Sequence, residues 1–323
     1  MYKSLFVILF VFFLNSCEKP IDIELPVEES KLVISSNLES NKYWNNGKQY
    51  LYVSNSITGL GAISDYHFTD SIPVIGDANV KIFHINNLNE VSNEYQFNFN
   101  NNCYCYTNQD FIPEENQTYK LNVVYDNYPE VNAFETIPAE VDYSISDFEM
   151  NDILDQEIEG QLCKLNISLK DSLNVQNFYK LKIIAVNTFE GKSESCNYSI
   201  SDPSFLIPIN DSDILGSYYN GNDGYFTDEL FDGETKTLSI DVEKPSGAFE
   251  FFYIRLISLS ENYYTFNLTK KKQNEGSNNL IFNNEPMFIH SNIENGYGIF
   301  RAKAITGKAY IPTYYPIHGW LDY

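Results

Sequence analysis

The stretch "NEYQFNF" (residues 93–99) alternates strictly, with Tyr95, Phe97 and Phe99 on one face and Glu94, Gln96 and Asn98 on the other. A period of two marks a half-buried β-strand, because successive side chains leave a strand on opposite sides. "TYKLNVVY" (118–125) repeats the pattern and groups Tyr119, Leu121, Val123 and Tyr125. Looser versions run through "KLVISSNL" (31–38), "QYLYVSNSI" (49–57), "ANVKIFHI" (78–85) and "EVNAFETI" (130–137). So many short strands predict a β-sandwich of immunoglobulin-like or transthyretin-like kind over residues 31–138, closing near Pro138.

The second half, 139–323, is also strand-rich, in "LCKLNISL" (162–169), "FYKLKIIAV" (178–186), "KTLSIDV" (236–242) and "FEFFYIRLISL" (249–259). An all-β fold of two domains with one or two short helices follows. One helix is expected near residues 259–272, where Ser258 and Glu261 have capping-box spacing and Lys270, Lys271 and Lys272 complement the dipole at the far end. Beyond it, residues 285–304 read as a hairpin about Asn295-Gly296. Between the strands, residues 201–234 read as a loop dense in Asp, Asn, Gly and Tyr.

Composition narrows the function. The 323 residues carry a net charge of −23 and only two arginines, Arg255 and Arg301. Such a surface repels nucleic acid and anionic headgroups, and it is poorly supplied for bidentate phosphate recognition. With 25 Tyr and 23 Phe the chain is nevertheless built to fold, unlike a disordered acidic tail.

At the N-terminus, Lys3 precedes an apolar run, Leu5 to Leu14, that stops at Asn15, Ser16 and Cys17. The run falls short of the roughly twenty apolar residues that span a bilayer, and its layout is that of a signal peptide. The tetrad Leu14-Asn15-Ser16-Cys17 resembles the lipobox of bacterial lipoproteins. That resemblance implies a signal peptide over 1–16 and an acylated Cys17 as the mature N-terminus. Residues 17–30, with Pro20 and Pro26 among acids, then read as an extended acidic tether.

Of the other cysteines, Cys163 and Cys196 are the natural disulfide pair, with free buried thiols as the alternative. Cys103 and Cys105 stand too close in sequence for an easy bond, and they lack partners at zinc-ligand spacing. The motifs of metalloproteases, nucleophile elbows and nucleotide loops are absent. His67, His84, His290 and His318 are scattered, and catalytic residues are therefore assigned to none of the chain. The most suggestive site is "NGNDGYFTDELFDGE" (220–234). There Asp223, Asp228, Asp232 and Glu234 offer hard oxygen ligands to calcium, although the spacing is not that of an EF-hand. Asp-Gly dipeptides make solvated turns the simpler reading. Tyr218, Tyr219, Tyr225 and Phe226 form the candidate binding loop beside them.

"NNEPMFIHSNIENGYGIFRA" (283–302) resembles the closing motif of a Bacteroidota outer-membrane lipoprotein family, domain of unknown function 4249. "KLVISSNL", "IGDANVKIFH" (75–84), "ENQTYKLNV" (115–123), "FTDELFDGETKTLSI" (226–240) and "SLSENYYTFNL" (258–268) fit that family's pattern in order. The cysteines of "NNCYCYTNQ" (101–109) depart from it. The resemblance implies an outer-membrane protein acting beside a TonB-dependent transporter, and Glu18, with Asp22 and Glu24 after the Lys19-Pro20-Ile21 interruption, favours the cell surface over the periplasmic face. It carries no catalytic residues. The expected function is thus a non-enzymatic accessory or ligand-binding partner of such a transporter, with no cofactor beyond an optional calcium. A surface glycan or peptide hydrolase and a structural or adhesive module are the alternatives. The triplets Asp70-Ser71-Ile72 and Asp171-Ser172-Leu173 resemble a Bacteroidota O-glycosylation motif.

Overall fold

A computed structural model of the chain describes residues 29–40, 48–56, 74–150, 162–205, 218–243, 251–276 and 288–310, with side chains outside the description at 147–150, 162–163, 218–219, 274–276 and 310. The chain parts into two compact units, and the one made of Lys31–Ser56 and His67–Tyr323 holds all the elements below. Residues 1–16, expected to be a signal peptide, and Cys17, His67 and His318 lie outside the described residues.

Seven strands come first: β1 (Leu32–Glu39), β2 (Tyr50–Asn55), β3 (Asn79–Ile85), β4 (Val91–Asn100), β5 (Cys105–Thr107), β6 (Thr118–Val124) and β7 (Val131–Thr136). Next are β8 (Tyr143–Met150), β9 (Leu162–Lys170), β10 (Phe178–Asn187), β11 (Lys192–Ser195) and β12 (Tyr198–Ser201). They are followed by β13 (Tyr218–Gly221), β14 (Gly224–Thr227), β15 (Thr235–Glu243) and β16 (Phe251–Leu259). Helix α1 (Glu261–Gly276) and β17 (Tyr297–Tyr310) complete the order. Among the described residues no helix is long and apolar enough to cross a membrane.

Among the described residues, twelve strands form one sheet, in the order β11-β10-β16-β17-β1-β2-β5-β4-β3-β6-β7 with β14 added beside β10, and five form a second, β13-β12-β15-β9-β8. Alternation delivers two large cores among the described residues. One gathers Leu32, Ile34, Val80, Phe97, Leu121 and Val131 from β1 to β7. The other packs Leu165, Ile167 and Ile240 of the five-stranded sheet against Leu181, Ile183, Ile254 and Leu256. Buried tyrosines tie each core to its backbone, since a buried hydroxyl needs a partner. Tyr106 accepts from the Ala78 N–H at 2.8 Å and donates to Ile75 O at 2.9 Å, while Tyr143 donates to Ile254 O at 2.7 Å.

Strand β17 joins the two halves. Its first part pairs in parallel with β1, and its second part runs antiparallel to β16. Phe300 and Ala302 enter the first core, whereas Ile305, on the opposite face, meets Tyr264 of α1. The expected hairpin before it is corrected, because β1 already occupies the edge that a returning strand would need. Residues 288–293 form no strand. Instead, the Asn292 side chain accepts the Phe300 N–H at 3.0 Å and donates to Phe300 O at 2.6 Å. One amide takes the place of a partner strand.

The helix cap is also corrected. Ser258 still belongs to β16, opposite Ala304, and it is Ser260 whose Oγ accepts the Tyr263 N–H at 3.3 Å. The helix continues to Gly276, so Lys270 to Lys272 stand before its last turn, which holds no basic residue. Cys103 and Cys105 are bonded to each other, with Cα atoms 5.2 Å apart. Cys103 sits in a turn rather than on a strand, and Tyr104 between them adopts φ of 50°, which brings the two thiols together.

Candidate functional site

The stretch read as a loop carries two short strands. The β14 strand pairs with β10, placing Tyr225 beside Lys180 and Phe226 beside Tyr179. Phe226 is fully buried, stacked on Phe205 with ring centroids 4.6 Å apart. It is a core residue and presents no binding surface. Tyr225 is partly covered by Tyr264 and by Lys180, whose Nζ lies 5.1 Å from its ring centre, and burial pushes its hydroxyl pKa up. The side chains of Tyr218 and Tyr219 lie outside the described residues.

The four proposed calcium ligands separate. Asp223 pairs with Lys180 at 3.0 Å. Glu234 is exposed, and its carbonyl accepts from Asp171 N at 3.0 Å. Asp228 and Asp232 do converge, together with Asp171, one carboxylate oxygen of each lying within 4.8 Å of the others. Asp171 comes from the far end of β9. The signal that could have found it is the Asp-Ser-Leu turn ending a well-patterned strand, with Asn174 and Asn177 close behind.

The cluster is held by donors of the protein itself. Asp171 Oδ1 accepts from Tyr179 OH at 2.8 Å and from Asn177 Nδ2 at 3.1 Å, and its Oδ2 accepts from Gly233 N at 2.9 Å. Asp228 Oδ2 accepts from Asn177 N at 2.7 Å, and Asp232 Oδ1 from Asn174 N at 2.8 Å. These bonds clasp the 171–177 turn to the 228–234 turn. Burial, and then the neighbouring Asp171 charge, raise the Asp228 pKa.

A raised carboxyl pKa means that the fold binds the proton more tightly than the unfolded chain does. Its contribution to stability is complete at low pH and declines as pH rises through the unfolded value towards the folded one. Asp228→Asn keeps an acceptor for Asn177 and removes the repulsion. Its stability relative to wild type should therefore increase with pH, as urea melts across the acidic range will register. A constant difference would show that Asp228 carries no such strain.

The two described histidines are each hydrogen-bonded to neighbouring side chains. His84 bonds Gln117 Oε1 at 2.9 Å and Ser92 Oγ at 2.8 Å, and His290 bonds Asn262 Oδ1 at 2.9 Å. Cys196 is buried, and its Sγ lies 3.9 Å from Glu194 O. Cys163 stands opposite Val242 in the second sheet, but its side chain, and so the expected bond to Cys196, lies outside the described residues.

These features define a mostly β protein with sandwich-like packing around two cores and a bracing helix, its acidic cluster bound into turns. The chain belongs to the family described as domain of unknown function DUF4249, which matches residues 18–309. No curated protein matches it. Among solved structures, the full-length major pilin RrgB from Streptococcus pneumoniae is similar in part. It is 10% identical, with 60% of this chain and 44% of the pilin covered at a TM-score of 0.19. The chain thus spans less than half the pilin's length, and a score that low carries no functional argument.

Proposed function

We propose that this chain is a lipid-anchored protein of a bacterial outer membrane, held by acyl chains on Cys17. In this reading it serves, without catalysis, as an accessory or ligand-binding partner of a TonB-dependent transporter. The observation that carries the reading is where the family domain begins. It starts at residue 18, directly after the cysteine that closes the Leu14-to-Cys17 tetrad. Cleavage before Cys17 would leave the whole domain joined to its anchor by the acidic tether. Two or more acyl chains make such anchoring stable where one is marginal. Confinement to the partner's membrane raises the local concentration, so modest contacts suffice.

Contact surface is available beside the carboxylate clasp, where Leu173, Val175 and Leu230 are 66%, 52% and 60% exposed on adjoining turns. Exposed apolar side chains grouped in this way support a partner contact.

Two experiments test the two halves of the proposal. Cells fed an alkyne fatty acid should label the wild-type protein and leave Cys17→Ala unlabelled; equal label on both overturns the anchor. Pull-down from gently solubilised membranes should recover a TonB-dependent transporter, and Leu173→Asp with Leu230→Asp should lower the yield. Recovery of no transporter by wild type overturns the partnership. Point variants are required, because deleting residues 217–228 would remove β14 and Phe226 from the core.

A further inference from the structure

On the outer face of β1, β2 and β17, strand register sets Tyr50, Asn37 and Arg301 in one row, with Tyr52 and Ser35 in the next row. Glu39 and Lys303 form the row on the other side, joined by an ion pair of 3.0 Å. Apart from Lys303, these side chains, with Gln49 and Lys48, line a cavity of about 180 Å³. That is smaller than the roughly 300–1,000 Å³ of sites for drug-sized ligands, so its occupant is a single small ring or chain.

Three polar atoms at this cavity are buried and have no hydrogen-bond partner among the described residues: Asn37 Oδ1, Glu39 Oε1 and Arg301 Nε. Glu39 is only 7% exposed. Its backbone is already bonded on both sides by Gln49, which accepts from Glu39 N at 2.9 Å and donates to Glu39 O at 3.1 Å. Arg301 is held from the opposite side, its guanidinium 4.7 Å from the Tyr263 ring centre and 5.9 Å from that of Phe266. Native proteins rarely leave buried polar atoms unpaired, and three around one cavity point to an occupant that pairs them.

The chemistry of the three selects that occupant. An anion would suit Arg301 and Lys48 but would meet the two bare acceptors. A cation would suit Glu39 and Asn37 but would meet Arg301 and Lys48. An apolar ligand would leave all three unpaired, at the full desolvation penalty of each. A hydroxyl both donates and accepts, so neighbouring hydroxyls on one ring can take the Arg301 N–H and give protons to Asn37 and Glu39. Tyr50 and Tyr52 add aromatic rings to the wall, and Tyr52 is 44% exposed at the surface. The structure assigns to this cavity the binding of a neutral polyhydroxylated ring of monosaccharide size. The assignment is independent of the anchor and of the transporter.

The test uses the full chain purified in detergent, screened by thermal shift against neutral pentoses, hexoses and N-acetylhexosamines. Inorganic phosphate and calcium chloride run alongside, and calorimetry follows on any sugar that shifts the melt. At least one neutral sugar should bind. Asn37→Leu and Tyr52→Ala should each weaken it by about tenfold or more while leaving the circular dichroism and unliganded melt of Tyr52→Ala unchanged. Glu39→Gln keeps an acceptor and should retain most sugar affinity. A silent sugar panel overturns the assignment, as does binding of phosphate or calcium alone. So does sugar binding that survives both Asn37→Leu and Tyr52→Ala at full strength.

Discussion

Gly298→Ala should lower the free energy of unfolding by more than about 3 kcal/mol, a large share of the roughly 5–15 kcal/mol that holds a domain together. Gly298 sits in β17 directly opposite Ile34 of β1, with φ of 103°. An added Cβ would collide with the carbonyl oxygen of Ile34, which is backbone and cannot turn aside. Conformational strain and steric conflict therefore act together, at the place where the first and last described strands meet. Gly191 is the control. Its φ is 63°, yet nothing lies within 4 Å of a Cβ placed there. Gly191→Ala should lose only the strain of the left-handed conformation, about 1–2 kcal/mol. Urea unfolding of both variants decides the matter; equal losses would show that the approach of β1 to β17 tolerates a side chain.

The second large effect is pH-dependent. Glu135 of β7 is 5% exposed and lies near the N-terminal turn of α1. Its Oε1 accepts from the Thr136 N–H at 3.0 Å. Ser260 and Asn262 ease the charge from α1, but Oε2 makes no hydrogen bond of good geometry, and Glu261 adds repulsion. Burial dominates and raises the Glu135 pKa to about 7 from 4.5. Below the unfolded value the carboxyl is protonated in both states and the fold has its full stability. As pH rises from there to about 7, the unfolded chain ionises freely while the buried group resists, and stability falls. The whole change is about 3 kcal/mol. Glu135→Gln removes it, so the variant should match wild type near pH 4 and exceed it by about 2–3 kcal/mol at pH 8. Parallel stability curves for the two proteins across that range would refute the assignment.

The parts of the fold legible in sequence were those set by local alternation. Tyr95, Phe97 and Phe99 turn towards the first core, and Tyr119, Leu121 and Val123 are buried in it. Strand β14 escaped because only four residues, Gly-Tyr-Phe-Thr, lie between two Asp-rich turns, too few to display a period. Its burial comes from β10, a partner well upstream. Pairing of β1 with β17 leaves no local signature, since a parallel neighbour can come from anywhere in the chain. The acidic cluster was half legible for the same reason. Asp228 and Asp232 are close in sequence, whereas Asp171 reaches them only through the pairing of β9 with β15. The helix start missed Ser258 by two residues because Ser260 can cap α1 only after β16 has ended.

Phe300 and Ala302 of β17, the last described strand, fill a seat in the first core. A chain emerging from its N-terminus therefore makes β1 to β7 long before that seat is occupied. Until β17 arrives, one edge of β1 is unpaired and part of the apolar floor beside Ile34 and Leu38 is bare. Closing so distant a contact is slow, and open strand edges invite association with other copies. A nascent chain of this kind is best shielded until its synthesis is complete. Truncation at the end has the matching consequence: a product that stops before Tyr297 should fail to fold at its beginning.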